Sequence, residues 1–409
     1  MSAAMKLADL LQRKMRARDD GLGRPRLGVV AYGPIQYHTP LFQLLAKRGH
    51  VELDVLFLRD SGLRLSHDLE FGLQIAWDID LLSGYDHQFL ATASRPQSRL
   101  ARIRTLARWI TPHEAVVVNG YSSGWMLLTM LLCRLQGVPY LLRASSHPRG
   151  ASDGPRRVLR HLVAGAVVRA SAGGLVMGRL NEEFYSRNHA RLTSFAPNSV
   201  DHGRFAASPA ISRTELLARW DLPTTKPVIL FSGKLIPRKR PLDIIAAVKL
   251  LEQEVTVLFV GDGALAGQVR AALDPAGGVV TGFVNQTLMP AYYHAADVLV
   301  LPSEAETWGL AVNEAMAAGV LPVVSDAVGC VPDLVTGVGE VFRCADVADL
   351  AAALRRALAR INDPACRAQM RHHAARYSLD GTAEGFEQAA TAVGVRGLHH
   401  SSRTTARDA

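Results

Sequence analysis

Two stretches of this chain gather chemically capable residues where apolar runs end. In the first, residues 228–232 lead into Gly233-Lys234-Leu235-Ile236-Pro237-Arg238-Lys239-Arg240-Pro241, a glycine turn with four basic residues ahead of a helical pattern. Glycine lets a backbone approach a ligand closely, a helix start offers its positive end, and Lys or Arg neutralises phosphate oxygens. Only seven of the 46 basic residues are lysines, yet Lys234 and Lys239 both fall here. The loop suits an anion; the plain alternative is a solvated basic turn. In the second stretch, VLVLPSEAETWGLAVNEAMAAG (298–319), a strand pattern ends at Pro302, a loop carries Glu304 and Glu306, and a helix begins near Gly309. A loop carboxylate can accept hydrogen bonds from sugar hydroxyls, and the N–H groups of Trp308, Gly309 and Leu310 can hold a phosphate. Glu314 sits one turn into that helix among Ala and Val, where a carboxylate needs a partner, either a ligand diol or a structural hydrogen bond.

Three further clusters are weaker. Gly261-Asp262-Gly263 closes residues 255–260 as a tight turn, and Gly282-Phe283-Val284-Asn285 follows a third short strand. The Phe283 ring faces either a flat heterocycle or the core. Asp78-Ile79-Asp80 spells DxD, a spacing that can hold a divalent cation, but it precedes any strong strand pattern. Three residues are a poor signal without the ligand types and number of a metal site, so no metal ligand is assigned.

These residues need a scaffold, and periodicity supplies one. Apolar runs at 26–31, 51–58, 115–118, 140–143 and 174–177, then at 228–232, 255–260, 279–281, 298–301 and 322–325, alternate with helical segments. This is the pattern of buried parallel strands with crossover helices. The class is α/β, with two Rossmann-like domains facing across a cleft. The Pro-containing stretch 195–213 is the joint. The boundaries expected are a basic amphipathic helix over 1–22, an N-terminal Rossmann-like domain over 23–199 and a C-terminal Rossmann-like domain over 200–375. A helix over 376–392 should return to the first domain, and a polar disordered tail should span 393–409.

Composition narrows the partners. The chain has 409 residues, 48% hydrophobic and 20% charged, with formal net charge +9. Arg95, Arg99, Arg102, Arg104 and Arg108 lie in a stretch without acids, and Arg156, Arg157 and Arg160 form a second group. No aromatic interleaving or nucleic-acid motif accompanies them, so nucleic acid is not an expected partner, whereas an anionic membrane surface is a candidate. No run reaches the ~18 apolar residues of a membrane span. The cysteines Cys133, Cys330, Cys344 and Cys366 form no CxxC pair, which points to a reducing cytoplasm, with peripheral attachment to the inner membrane face as an option.

Glu306 and Glu314 are separated by seven residues, and EAETWGLAVNEAMAAGVLPVVSDAVG resembles the E-x7-E signature of family 4 retaining glycosyltransferases of the GT-B fold. GKLIPRKRP resembles that family's phosphate loop, VGDG its following turn, GFVNQTLMPAYYHAADVLVLPS its nucleotide-side segment and PNSVDHGRF its interdomain joint. The likeness runs from Pro197 to Ser325 in the family's order. It implies transfer of a sugar from a nucleoside-diphosphate sugar, UDP-sugar favoured, to an acceptor hydroxyl, in glycan, glycolipid or metabolite biosynthesis. It also implies retention of anomeric configuration and no required metal or other cofactor. A non-catalytic nucleotide-sugar binder, or an epimerase or phosphorylase of the same fold, are the alternatives.

By this resemblance Gly233, Lys234 and Lys239 hold the diphosphate, Glu314 the ribose, and Glu306 with Trp308, Gly309 and Leu310 the donor sugar and phosphate. Phe283 lies on the nucleotide side. Lys234 stands where the family usually has Arg, and Ser199 where Gly is commoner. In the first half FGLQIAWDIDLLSGY resembles a segment of some bacterial members, and VPYLLRASSH the strand ending in the family's active-site histidine. Ser145 stands at the usual position and His147 two residues beyond, so both are candidates, His147 as a catalytic contact. His38, in the loop after the first strand, is an acceptor-side candidate. The acceptor itself is unassigned, with a lipid-linked molecule one option.

Overall fold

Val116, Val117 and Val118 are completely buried, as are Leu230 and Phe231 in the second half, because each lies in a strand covered on both faces. The computed structural model describes residues 24–61, 63, 66–68, 72–92, 98–147, 155–274 and 277–404. The basic amphipathic helix expected over 1–22 lies outside the described residues.

The strands are β1 (Arg26–Ala31), β2 (Glu52–Phe57), β3 (Ser66–Asp68), β4 (Leu73–Ile75), β5 (Asp86–Phe89), β6 (Ala115–Asn119), β7 (Tyr140–Arg143), β8 (Gly173–Val176) and β9 (Thr193–Phe195). They continue with β10 (Val228–Ser232), β11 (Thr256–Val260), β12 (Gly278–Gly282), β13 (Val298–Leu301), β14 (Leu321–Ser325) and β15 (Glu340–Phe342). One sheet runs β5-β2-β1-β6-β7-β8-β9 and a second β12-β11-β10-β13-β14-β15. Every pairing within these two sheets is parallel. These are the two Rossmann-like domains expected. All ten strands read from periodicity are present; β3, β4, β5, β9 and β15 were not foreseen. Asp86–Phe89, Thr193–Phe195 and Glu340–Phe342 are short edge strands with no fully apolar run, so hydrophobic pattern does not mark them.

In each sheet the order reverses between two central strands, β1 and β6 in the first, β10 and β13 in the second. Loops leaving the carboxyl ends of such strands diverge and open a crevice. The chain crosses between domains twice, side by side, where Val200 and Ser378 form an isolated parallel bridge. Ser199 Oγ contacts Thr382 Oγ1 at 2.7 Å, and that hydroxyl also lies 2.8 Å from the Pro197 carbonyl. A side chain at position 199 thus ties the joint to the returning segment.

That segment is the helix Leu379–Thr404, whose Ala383, Phe386, Ala389, Ala390 and Val393 complete one core of the first domain. The helix continues to Thr404, so the disordered tail expected from Val393 is corrected over 393–404.

Candidate functional site

The crevice between the domains encloses about 860 Å3. On the second domain its wall begins at Gly233, whose φ of +151° takes the chain out of β10. A Cβ on Gly261 would stand 1.9 Å from the Gly233 carbonyl oxygen, and one on Gly263 would stand 2.7 Å from that of Leu235. The turn Gly261-Asp262-Gly263 is therefore the seat on which the basic loop rests, secured by Leu235 N–H donating to the Asp262 carbonyl at 2.9 Å.

Pro237–Lys239 forms a 3-10 turn, and Arg240 takes φ +50° before the helix Pro241–Val248. This places the basic loop against the acidic one. Glu304 N–H donates to the Arg238 carbonyl and the Arg238 guanidinium to the Ala305 carbonyl, both at 3.0 Å. The Lys239 ammonium pairs with the Glu306 carboxylate, both side chains being mostly buried. Behind Glu306, a Cβ on Gly329 would meet the Thr307 carbonyl at 2.2 Å, so the loop after β14 braces the loop after β13 through that glycine. Gly309, at φ +105°, caps the helix Leu310–Ala318 and aims its start into the crevice.

Glu314 is 4% exposed. It accepts hydrogen bonds from the Tyr293 and Tyr37 hydroxyls. Burial pushes its carboxyl up to about 7, against the opposing pull of those hydroxyls and Arg204. The structural partner weighed as an alternative to a ligand diol is thus present, while Glu314 still lines the crevice. Tyr37 belongs to the loop after β1, so this contact crosses between domains. Burial and the Glu314 charge together raise its hydroxyl above the ordinary tyrosine value.

The first domain supplies the facing wall from the loop after β1 (Gln36, Tyr37, His38), the end of β6 (Asn119) and the end of β7 (Arg143, Ser145). His38 is held neutral, its imidazole lowered to about 3 by burial and then by Arg143. Trp77 reaches over to Phe283, ring centroids 6.1 Å apart. Asn285 Nδ2 donates to the Ala76 carbonyl at 2.7 Å, and Asp78 accepts from Thr287 N–H at 3.2 Å. Asp80 accepts from the N–H groups of Leu82 and Ser83 at 2.9 and 3.1 Å. The two carboxylates of DxD therefore serve an interdomain clasp and a local turn.

Residues 212–377 match the family of glycosyl transferases group 1. A 2-deoxystreptamine glucosyltransferase of Streptomyces kanamyceticus is 31% identical over 304 residues, covering 69% of this chain and 76% of that one. The chain belongs to the group 1 glycosyltransferases. A D-inositol 3-phosphate glycosyltransferase of Geodermatophilus obscurus is 34% identical over 225 residues, covering 50% of this chain and 48% of the relative. In fold, the Anabaena HepE structure in complex with UDP matches with TM-score 0.64 at 15% identity, over 93% of this chain and 99% of that one. The architecture is GT-B, and the activity is transfer of a sugar.

The crevice of this glycosyltransferase is lined by Gly233, Lys234, Lys239, Phe283, Glu306, Trp308, Gly309, Leu310 and Glu314, together with His38 and Ser145. His147 is placed differently. It lines a small separate recess with Ser145, Leu180 and Trp308, outside the lining of the main crevice. Asn181 Nδ2 donates to the Ala144 and Ser146 carbonyls at 2.7 and 2.8 Å and turns the chain aside before residue 147 is reached. The Trp308 ring is also turned away, donating to Asn313 at 2.8 Å and filling the space above Gly178, where a Cβ would lie 2.4 Å from it. Its role in the wall is the backbone and the interdomain packing. Tyr37, Trp77, Asn119, Arg143 and Tyr293 were not singled out from the sequence. Arg143 carried a signal, a charge ending the apolar run YLLR.

Proposed function

We propose that the enzyme moves a sugar from a nucleoside-diphosphate sugar, UDP-sugar favoured, to an acceptor hydroxyl with retention of anomeric configuration and without a metal. The observation that carries this reading is the convergence of the glycine-led basic loop after β10 with the Glu306–Gly309 loop after β13 at the reversal point of the second sheet. Lys234, Lys239 and the start of the helix Leu310–Ala318 oppose the charge that develops on the departing diphosphate. Glu306 accepts from donor-sugar hydroxyls, Glu314 from the nucleotide ribose, and Phe283 with Trp77 flanks the base. The acceptor enters from the first domain and attacks on the sugar face that the diphosphate leaves, the departing phosphate oxygen taking the acceptor proton.

The acceptor side also carries a surface suited to an anionic membrane. On the helix Gly124–Leu135, Leu127, Leu131 and Leu135 are exposed at a four-residue spacing, and Leu100 is exposed on the neighbouring helix Arg99–Ile110. Arg99, Arg104, Arg108 and Arg134 are exposed on the same two helices. Leucines that enter the headgroup layer beside arginines that pair with lipid phosphates fit peripheral attachment at the cytoplasmic face. Among the described residues no helix is long and apolar enough to cross a membrane.

Calorimetric titration with UDP, GDP, ADP and TDP, followed by mass-spectrometric detection of slow sugar-nucleotide hydrolysis, tests the donor reading without a known acceptor. Selective binding of one base with hydrolysis of its sugar conjugate is the expected result. A folded protein that binds none of the four overturns it.

A further inference from the structure

Among the described residues, three polar atoms in one corner of the first domain are buried without a hydrogen-bond partner: Nδ1 of His38, Oδ1 of Asn119 and Nε of Arg143. Asn119 and Arg143 are register partners on β6 and β7, so their side chains leave the sheet on one face. His38 precedes the helix Thr39–Arg48 at the end of the loop from β1, the strand on the other side of β6. All three residues line the crevice.

Arg143 decides what this corner is for. It is 6% exposed, its guanidinium packed 5.7 Å from the centre of the Phe386 ring. Nη2 reaches Asn198 Oδ1 at 3.1 Å and the Pro197 carbonyl at 3.5 Å, so its hydrogen-bond partners are neutral. A buried charge with no counterion is costly, by several kcal/mol in ordinary cases, and the cost is recovered when a ligand brings the opposite charge. The lysines on the facing domain already provide for a diphosphate, which leaves Arg143 for the second substrate. A protonated amine on that substrate would meet a like charge.

We propose that this corner binds the anionic group of the acceptor, a polyhydroxylated molecule bearing a phosphate or a carboxylate. Its anionic oxygens accept from Arg143 Nε–H and from His38 Nδ1–H, and a neighbouring hydroxyl donates to Asn119 Oδ1. The proposal rests on the donor reading for its orientation, since the sugar must arrive from the opposite wall.

The test uses the full chain, wild type and Arg143→Met, titrated with D-glucose 6-phosphate, D-glucuronate and neutral D-glucose and followed by calorimetry, with and without saturating UDP. Saturating nucleotide fills the lysine loop, so anion binding that persists belongs elsewhere. The expected result is at least 10-fold tighter binding of one anion than of glucose, lost at least 10-fold in Arg143→Met while UDP affinity is unchanged. The phosphate and carboxylate arms identify the anion. Equal binding of charged and neutral sugars, or an anion affinity indifferent to Arg143→Met, overturns the proposal. Failure of UDP to bind bears on the donor reading alone, because the nucleotide-free titrations still compare the two proteins. If Arg143→Met does not fold, Arg143→Lys keeps the charge and loses the Nε donor. It should weaken the anion at least 5-fold while leaving glucose unchanged, and unchanged anion binding there also overturns the proposal.

Discussion

Asp78 of the first domain accepts hydrogen bonds from both the backbone N–H and the hydroxyl of Thr287 in the second. The two residues are 209 positions apart, and the contact crosses the mouth of the crevice next to Trp77 and Phe283. It ties the loop after β12 to the first domain, and under the proposed function this favours a closed crevice around the nucleotide. Two hydrogen bonds of this exposed kind contribute about 1 kcal/mol, so Asp78→Ala should weaken nucleotide binding about 5-fold through a smaller closed population. Calorimetry paired with small-angle scattering checks this. Unchanged affinity and an unchanged radius of gyration would show that the clasp does not control closure.

Lys239 and Glu306 are ion-paired across the two loops, so under the proposed function each restrains the other's part in transfer. A diphosphate has to draw Lys239 partly away from its carboxylate. Glu306→Gln should therefore bind free UDP as well as or better than wild type, by about 2- to 5-fold, while losing most transfer or hydrolysis, because the sugar contact weakens as the cation is released. Lys239→Ala should weaken UDP at least 10-fold, since it removes the cation and leaves an anion facing the phosphates. A double-mutant cycle measured by calorimetry reads the coupling. Additive effects would mean that the pair does not persist in solution.

The legible part of this site was the part in which chemistry is local in sequence. Glycines and charges at the ends of apolar strands announced Gly233 to Lys239 and Glu306 to Leu310, because a parallel strand delivers its next few residues directly to the crevice. Relationships between distant segments were not legible. That Glu314 is satisfied by Tyr293 and Tyr37 depends on how two helices and the opposite domain meet. That Asp78 serves Thr287 depends on the angle between domains, which no local pattern encodes. His147 shows the same gap in reverse: its type and sequence position suited the site, and a side-chain grip by Asn181, in the first turn of the helix Arg179–Arg187, carries it elsewhere. The edge strands β9 and β15 escaped because pairing on one side only demands less apolar character.

The raised carboxyl of Glu314 gives a pH signature of definite sign. Its folded value is about 7 against an ordinary 4.5, so between these pH values the native state binds more protons than the unfolded chain. Its contribution is most favourable below the ordinary value and is lost as pH rises through about 7. Glu314→Gln keeps an acceptor for the tyrosine hydroxyls and removes the titration. The melting temperature of the variant relative to wild type should therefore rise as pH is taken from 4.5 to 7.5, as followed by circular dichroism. A difference independent of pH would place the Glu314 carboxyl at its ordinary value.

Gly261 should be more sensitive to substitution than the lysines it never touches. A methyl at this position would sit 1.9 Å from the Gly233 carbonyl oxygen, and the φ of +142° is one that alanine adopts only under strain. Neither end can yield cheaply, because Gly233 N–H is bonded to the Val260 carbonyl and Gly261 N–H to that of Gly282. Gly261→Ala must push the basic loop off its seat, at a cost of about 2 to 4 kcal/mol from overpacking and backbone strain together. The displaced loop moves Lys234 and Lys239 out of register with the helix start at Leu310, so nucleotide affinity should fall at least 10-fold in the fraction that remains folded. Urea denaturation measures the first effect and calorimetry the second. Gly267→Ala, on a neighbouring helix where nothing lies within 4 Å of an added Cβ, is the matched control and should alter neither. Wild-type nucleotide affinity in a destabilised Gly261→Ala protein would show that the turn supports the fold without setting the geometry of the phosphate loop.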